Sequence, residues 1–160
     1  MSGLPYVAGL GERDPQAVIA ETPARLANAL EGLSAEQIEA QPAPGKWSLR
    51  EIAAHLADCE IAWSWRLRYV YGAKDPVLQP FDQDAWARIY STYSYADARA
   101  AFVAMRAWNV AFVAGLTEAD KQKTYRHPER GEETLWNIVE IMAGHDLHHL
   151  KSLEERGSRG

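Results

Sequence analysis

The run Ser48-Leu49-Arg50-Glu51-Ile52-Ala53-Ala54-His55-Leu56-Ala57-Asp58-Cys59 decides the fold. Its first four residues form a capping box, in which the serine hydroxyl and the glutamate carboxylate each satisfy a backbone N–H that a helix start leaves free. The loop before it, Pro42-Ala43-Pro44-Gly45-Lys46-Trp47, carries the proline and glycine punctuation of a break. Ile52, Leu56, Cys59, Trp63 and Val70 then recur at helical spacing as far as Tyr71-Gly72.

Three more long helices follow from the same reading. Asp14-Pro15 supplies a cap and a first-turn proline for a helix from Pro15 to about Glu31, with Ile19, Leu26 and Leu30 as its apolar stripe. Pro23 predicts a kink there, or a fresh start at Thr22-Pro23. Ser94 with Asp97 opens a third helix whose stripe is Ala98, Phe102, Met105, Asn109, Phe112 and Leu116, ending near Gly115. Thr134 opens the fourth, with Ile138, Met142, His145, His149 and Ser152 in line and Gly157 placed to stop it. Between the second and third helices lies a Pro-punctuated stretch, Lys74 to Gln83, and a short helix around Asp84 to Tyr90. A faint echo links Gly32-Leu33-Ser34 to Gly115-Leu116-Thr117. Val/Ile/Thr clusters bounded by Gly or Asn-Gly turns are missing, so strands are not expected. Helix count and stripe width predict an all-α four-helix bundle, up-down-type with a long loop between helices 2 and 3, as one domain over residues 1–160.

Composition narrows the function. Of 160 residues 47% are hydrophobic and 24% charged, the balance of a globular domain. Seventeen basic and 22 acidic side chains leave a net charge of -5, with no Lys/Arg block, which argues against a nucleic-acid partner. No run reaches the ~20 apolar residues of a membrane-spanning helix. Met1 to Asp14 lacks the basic and apolar regions of a secretory signal, so a cytoplasmic location is expected. The single cysteine, Cys59, excludes an intramolecular disulfide framework and a Cys-rich zinc finger; a transition metal here would need mostly nitrogen and oxygen ligands.

The chemistry points to histidine. His145 and His149 are one turn apart on the fourth helix, in line with Ile138 and Met142, so both imidazoles can grip one cation from the same face. His55 lies at the edge of the inward stripe of the second helix. Three imidazoles from two facing helices can supply three ligands to a first-row metal and leave one position open. His148 could replace His149, although its direction diverges from the stripe. Cys59 and Asp58, four and three residues after His55, could complete the coordination or hold a ligand's second nitrogen, with a small core residue the simpler reading of Cys59.

Other candidates have plainer explanations. His145-Asp146-Leu147-His148-His149 is one residue type from H-E-x-x-H, but aspartate is a methylene shorter than the glutamate general base of zinc proteases, so Asp146 reads as a flank residue. His127 reads as a solvated loop residue between Tyr125 and Gly131. Arg66, inward and eleven residues after His55, needs an acidic partner or an anionic ligand, and a structural ion pair is the expectation. Asn109 reads as a satisfied core amide, and the six tryptophans as mostly core and loop packing.

The run Gly45-Lys46-Trp47-Ser48-Leu49-Arg50-Glu51-Ile52-Ala53-Ala54-His55-Leu56-Ala57-Asp58, with His145-Asp146-Leu147-His148-His149, resembles the DinB/YfiT-like superfamily. The segment Pro80-Phe81-Asp82-Gln83-Asp84-Ala85-Trp86-Ala87 and Arg66 resemble its YfiT branch. The most specific elements are the W-S-x-x-E-x-x-x-H entry and the terminal H-x-x-x-H. The resemblance covers nearly the whole chain and implies a four-helix bundle, commonly a homodimer, with a divalent metal, zinc or nickel first, on His55, His145 and His149. It also implies a small-molecule substrate and metal-dependent hydrolysis, or transfer of a low-molecular-weight thiol such as bacillithiol to an electrophile, with a mycothiol-dependent isomerase in a related branch. The presence of Cys59 does not by itself support a thiol mechanism. Against these enzymatic readings stands a non-catalytic bundle whose metal only ties the second helix to the fourth. Coordination separates them: three protein ligands plus solvent for catalysis, four protein ligands for structure.

Overall fold

Four polar residues start the four long helices. In the computed structural model, which describes residues 3–158, Asp14 accepts from the Gln16 N–H, Ser48 from Glu51, Ser94 from Asp97 and Thr134 from Asn137. The first two residues of the Met1–Asp14 stretch and the last two of the chain lie outside the described residues. Each such cap contributes about 1 kcal/mol. The elements are α1 (Pro15–Ala29), α2 (Ala35–Glu39), α3 (Leu49–Gly72), α4 (Gln83–Ala87), α5 (Tyr95–Ala114), α6 (Glu118–Lys121), β1 (Thr124–His127), β2 (Gly131–Thr134) and α7 (Leu135–Gly157). Short 3-10 turns cover Val7–Gly9 and Tyr90–Thr92. The two echoed segments open α2 and α6, capped by Ser34 and Thr117. Among the described residues, no helix is long and apolar enough to cross a membrane.

The long helices α1, α3, α5 and α7 make a four-helix bundle whose connections differ from a simple up-and-down order. α3 packs most extensively on α5 and α1 on α7, while α1–α5 and α3–α7 close the ring. Pairings such as Glu60–Arg106 and Ser64–Asn109 show α3 and α5 running parallel, as do α1 and α7 through Thr22–Asp146 and Arg25–Glu154. α3 runs antiparallel to α7, with Trp47 beside Arg156 and Cys59 beside His145. The directions are therefore up, down, down, up. The long 73–94 segment is needed because parallel neighbours require a crossover the length of the helix, about 36 Å for α3.

Pro23 neither breaks nor divides α1. Proline lacks the N–H that would bond the carbonyl four residues back, and here that carbonyl, Ile19 O, accepts 3.0 Å from Arg106 Nη1 of α5. Arg106 is fully buried and also binds Glu60 of α3 at 2.7 Å and both carboxylate oxygens of Asp146 of α7. Asp146 further accepts from Thr22 Oγ1 of α1 at 2.8 Å. All four helices thus meet at one guanidinium. The inner line of α5 is Ala98, Phe102, Arg106, Asn109 and Val113; Met105, Phe112 and Leu116 of the expected stripe are only partly buried. Gly157 closes α7 for a packing reason as well, because a Cβ there would lie 2.0 Å from Ala29 O.

The segment expected to be an open loop forms an antiparallel hairpin, Thr124 opposite Thr134 through His127 opposite Gly131. Gly131, at φ +90°, makes its turn possible. The hairpin hid from sequence reading because its strands are four residues long and largely polar, with Tyr125 and Glu133 as the inward pair. Leu78 N donates to Arg126 O and Arg126 N to Pro76 O, tying the hairpin to the crossover. Trp65 and Trp108, 66% and 69% exposed, stand apart from the other four tryptophans, which pack in the core and loops as expected.

Two substitutions test this framework. Arg106→Met leaves Glu60 and Asp146 buried without their cation and is expected to cost about 3–5 kcal/mol in a denaturant titration. Pro23→Ala removes a mid-helix proline, ordinarily a gain of ~3 kcal/mol, yet here less than about 1 kcal/mol is expected because Arg106 already satisfies the freed carbonyl.

Candidate metal centre

Donor atoms converge at the seam between α3 and α7. His55 Nε2 and His145 Nε2 stand 3.0 Å apart, and Cys59 Sγ lies 3.5 Å from the first and 3.9 Å from the second. All three residues are buried, and their donor atoms lie within 4.8 Å of one another. Ligands on one tetrahedral zinc, at bonds of about 2.0–2.3 Å, stand roughly 3.3–3.6 Å apart, so the spacing fits a single small cation. His149, one turn after His145, brings its ring centroid to 4.5 Å from His145 and 4.8 Å from His55. His148 is exposed, its ring against Tyr6 and His149. The expected His55, His145 and His149 are thus brought together, and Cys59, read first as core, joins the donors while packing in the core.

The second nitrogens decide what the first can do. His55 Nδ1 lies 3.4 Å from the Tyr90 hydroxyl, which also interacts with Asp58. With that nitrogen protonated, Nε2 is left as a lone pair. His145 Nδ1 is buried with no partner among the described residues. Two neutral imidazoles meeting through Nε2 atoms can share one proton, or can both offer lone pairs to a cation. Burial, with His148 nearby, lowers the His55 pKa to about 4. Burial with His55 and His148 lowers that of His149 to about 3, and burial with the other histidines holds His145 well below its ordinary value. All three are therefore neutral near pH 7, the form that binds metal. Burial pushes the Cys59 thiol up, reinforced by Glu60, Asp146 and Asp58.

A segment before α1 covers the cluster. The Tyr6 ring meets His145 edge-on at 5.2 Å. It can sit there because residue 144 is glycine: a Cβ would lie 2.5 Å from Tyr6 O. Beside the donors opens a cavity of about 160 Å³, reached by Cys59 and His145 and walled by Trp63, Phe81, Tyr125 and Ile141 among others.

Several single residues depart from the sequence reading. Asp146 is no flank residue but a buried partner of Arg106, one position after a donor histidine. Glu60 and Arg106 went unnoticed, though both occupy inward helical positions where a charge demands a partner. Among the described residues Arg66 forms no ion pair: its Nη2 donates to Gln79 O at 2.9 Å, and its guanidinium lies 5.3 Å from the Trp63 ring and 5.4 Å from Phe81. His127 is buried in β1, its Nδ1 accepting from Glu129 N and its Nε2 facing Arg130 Nη1. Asn109 is the satisfied amide expected, donating to Glu60 and accepting from Ser64 and Arg68.

Known proteins share this architecture. Residues 19–153 match the DinB superfamily model. A protein of Oceanobacillus iheyensis named "Putative metal-dependent hydrolase" is 28% identical over 133 residues, covering 82% of this chain and 77% of its own. A Bacillus mycoides protein of the same name is 28% identical over 143 residues, 86% of this chain and 82% of its own. The solved structure of YfiT from Bacillus subtilis, described as a probable metal-dependent hydrolase with an unusual four-helix bundle topology, superposes with a TM-score of 0.81 at 24% identity. That match covers 91% of this chain and 85% of YfiT. With the matched region taking in all four long helices and the donor histidines, the chain belongs to the DinB superfamily.

Proposed function

We propose that this chain is a metal-dependent hydrolase of small molecules, with zinc or nickel held by His55, His145 and His149. The observation that carries the reading is the 3.0 Å approach of two buried imidazole Nε2 atoms beside Cys59 Sγ, with the ring of His149 against both. The names of the relatives support it. A divalent cation in such a site acts as a Lewis acid and makes a nucleophile available near neutral pH. The chain's own residues do the rest. The Tyr90 hydroxyl fixes the edge of His55 that points away from the cluster, and Tyr6 covers His145. The cavity, whose wall combines aromatic side chains with Arg66 and Arg130, receives the substrate next to the donors. A small thiol in place of water would turn the same centre to S-transfer.

Elemental analysis of protein purified without chelators, alongside ester and thiol-plus-electrophile panels, tests this. The expected result is about one divalent ion per chain and turnover on at least one panel, with His145→Ala and His149→Ala losing metal and turnover together. Unchanged metal content in His149→Ala would remove that residue from the ligand set. Cys59 favours a second reading, in which its sulfur closes a four-ligand structural site. Strong sulfur-to-metal charge transfer in the cobalt-loaded protein, abolished by Cys59→Ala, together with silent substrate panels, would establish it.

The depressed histidine pKa values set a pH dependence. Unfolded histidines protonate near 6.5 but folded His55 only near 4 and His149 near 3, so between these limits the unfolded chain binds more protons. Stability of the metal-free protein is therefore full above about pH 7 and falls as pH drops towards 4, by up to ~1.4 kcal/mol per pH unit for each histidine. Thermal melts from pH 7.5 to 4.5 should show this slope, and His55→Ala should flatten it.

A further inference from the structure

We infer that the cavity beside the donor cluster is a carboxylate-binding pocket, with Arg66 as the counter-ion of a small organic acid whose reacting bond faces His145 and Cys59. The inference rests on the hydrolase reading for the word substrate, but the pocket itself stands on other observations. Arg66 follows Cys59 by seven residues on α3, two turns or about 10 Å along the helix, and lines the same cavity. Of its five N–H groups the protein engages one, at Gln79 O, and no carboxylate pairs with it among the described residues. The half-buried guanidinium lies against the Trp63 and Phe81 rings, which partly desolvate it and so favour an anionic partner.

The other cavity cation, Arg130, is already bonded to Glu133 through two nitrogens and faces His127 through a third. Glu133 also accepts from Tyr125, and no Asp or Glu lines the cavity among the described residues. Arg66 is thus a cavity-lining cation left without a carboxylate among the described residues, and its free N–H groups suit a carboxylate, which only accepts. The planar fork of an arginine suits that group, and one unmatched positive charge suits a monoanion. A cavity of about 160 Å³ limits the acid's body to the size of a benzene ring, which fills a cavity of ~150 Å³ elsewhere.

The test uses benzoate and its neutral isostere benzamide, titrated calorimetrically into the full chain, both metal-loaded and after chelation. Benzoate should bind at least ~10-fold more tightly than benzamide in both states, the discrimination expected of one charged hydrogen-bonded pair. Arg66→Met should erase the preference while leaving benzamide affinity and metal content unchanged, and Arg66→Lys should restore part of it. Loss of the preference on chelation would mean that the anion seeks the metal and would overturn the assignment. So would a preference that survives Arg66→Met, or wild-type protein that does not distinguish the two ligands. Failure of the metal reading shows separately, as absent metal with the benzoate preference intact.

Discussion

The guanidinium of Arg106 is the point on which the bundle depends. It stands on α5, takes its carboxylates from Glu60 of α3 and Asp146 of α7, and closes the carbonyl that Pro23 leaves open in α1. Burying such a triad gains little over well-packed apolar side chains, because desolvation consumes most of the Coulombic attraction. What it supplies is register. Apolar stripes tolerate a slide of one helix along another, whereas two carboxylates on one guanidinium do not. Glu60 directly follows Cys59, and Asp146 directly follows His145. Neighbouring helical positions point about 100° apart, so one member of each pair turns to Arg106 and the other to the donor cluster. The alignment that satisfies the triad is therefore the one that brings the donors of α3 opposite those of α7.

Charge and solvation in the same layer favour a cation. The triad carries two carboxylates for one guanidinium, a formal surplus of one negative charge in a dry interior. The histidines beside it are kept neutral by burial and by each other, so they do not cancel that surplus. Lone pairs, an orphaned Nδ1 and a nearby negative surplus describe a place where a small positive ion is stabilised.

Local chemistry made the helices legible. Caps at Asp14, Ser48, Ser94 and Thr134 can be read from two to four residues each, and the stripes of α1, α3 and α7 point inward as their periodicity requires. His55, His145 and His149 were legible for the same reason, as polar residues on apolar lines. What stayed hidden depends on partners distant in sequence. Arg106 sits on the inner line of α5, where a charge demands a partner, but its partners Glu60 and Asp146 are 46 and 40 residues away in sequence. Pro23 reads as a break until that same arginine is placed on the Ile19 carbonyl. Arg66 presents the opposite case: an inward cation suggests an ion pair, and only the fold reveals that no carboxylate pairs with it among the described residues.

The helix order itself explains where the site lies. Because α3 and α5 run parallel, the chain must return along the bundle between them, and residues 73–94 do so. On the way they place Leu78, Phe81 and Gln83 over the seam between α3 and α7, then bring Tyr90 to His55. The link from α5 to α7 must likewise cross the bundle end, and its hairpin puts Tyr125 and Arg130 against the same seam. An up-down-up-down bundle could join neighbours with short turns and would leave that seam bare. Here the α3–α7 seam, packed less extensively than α3–α5 or α1–α7, is roofed by segments that the topology requires in any case. A roofed pocket beside buried imidazoles is thus a geometric consequence of the up, down, down, up order.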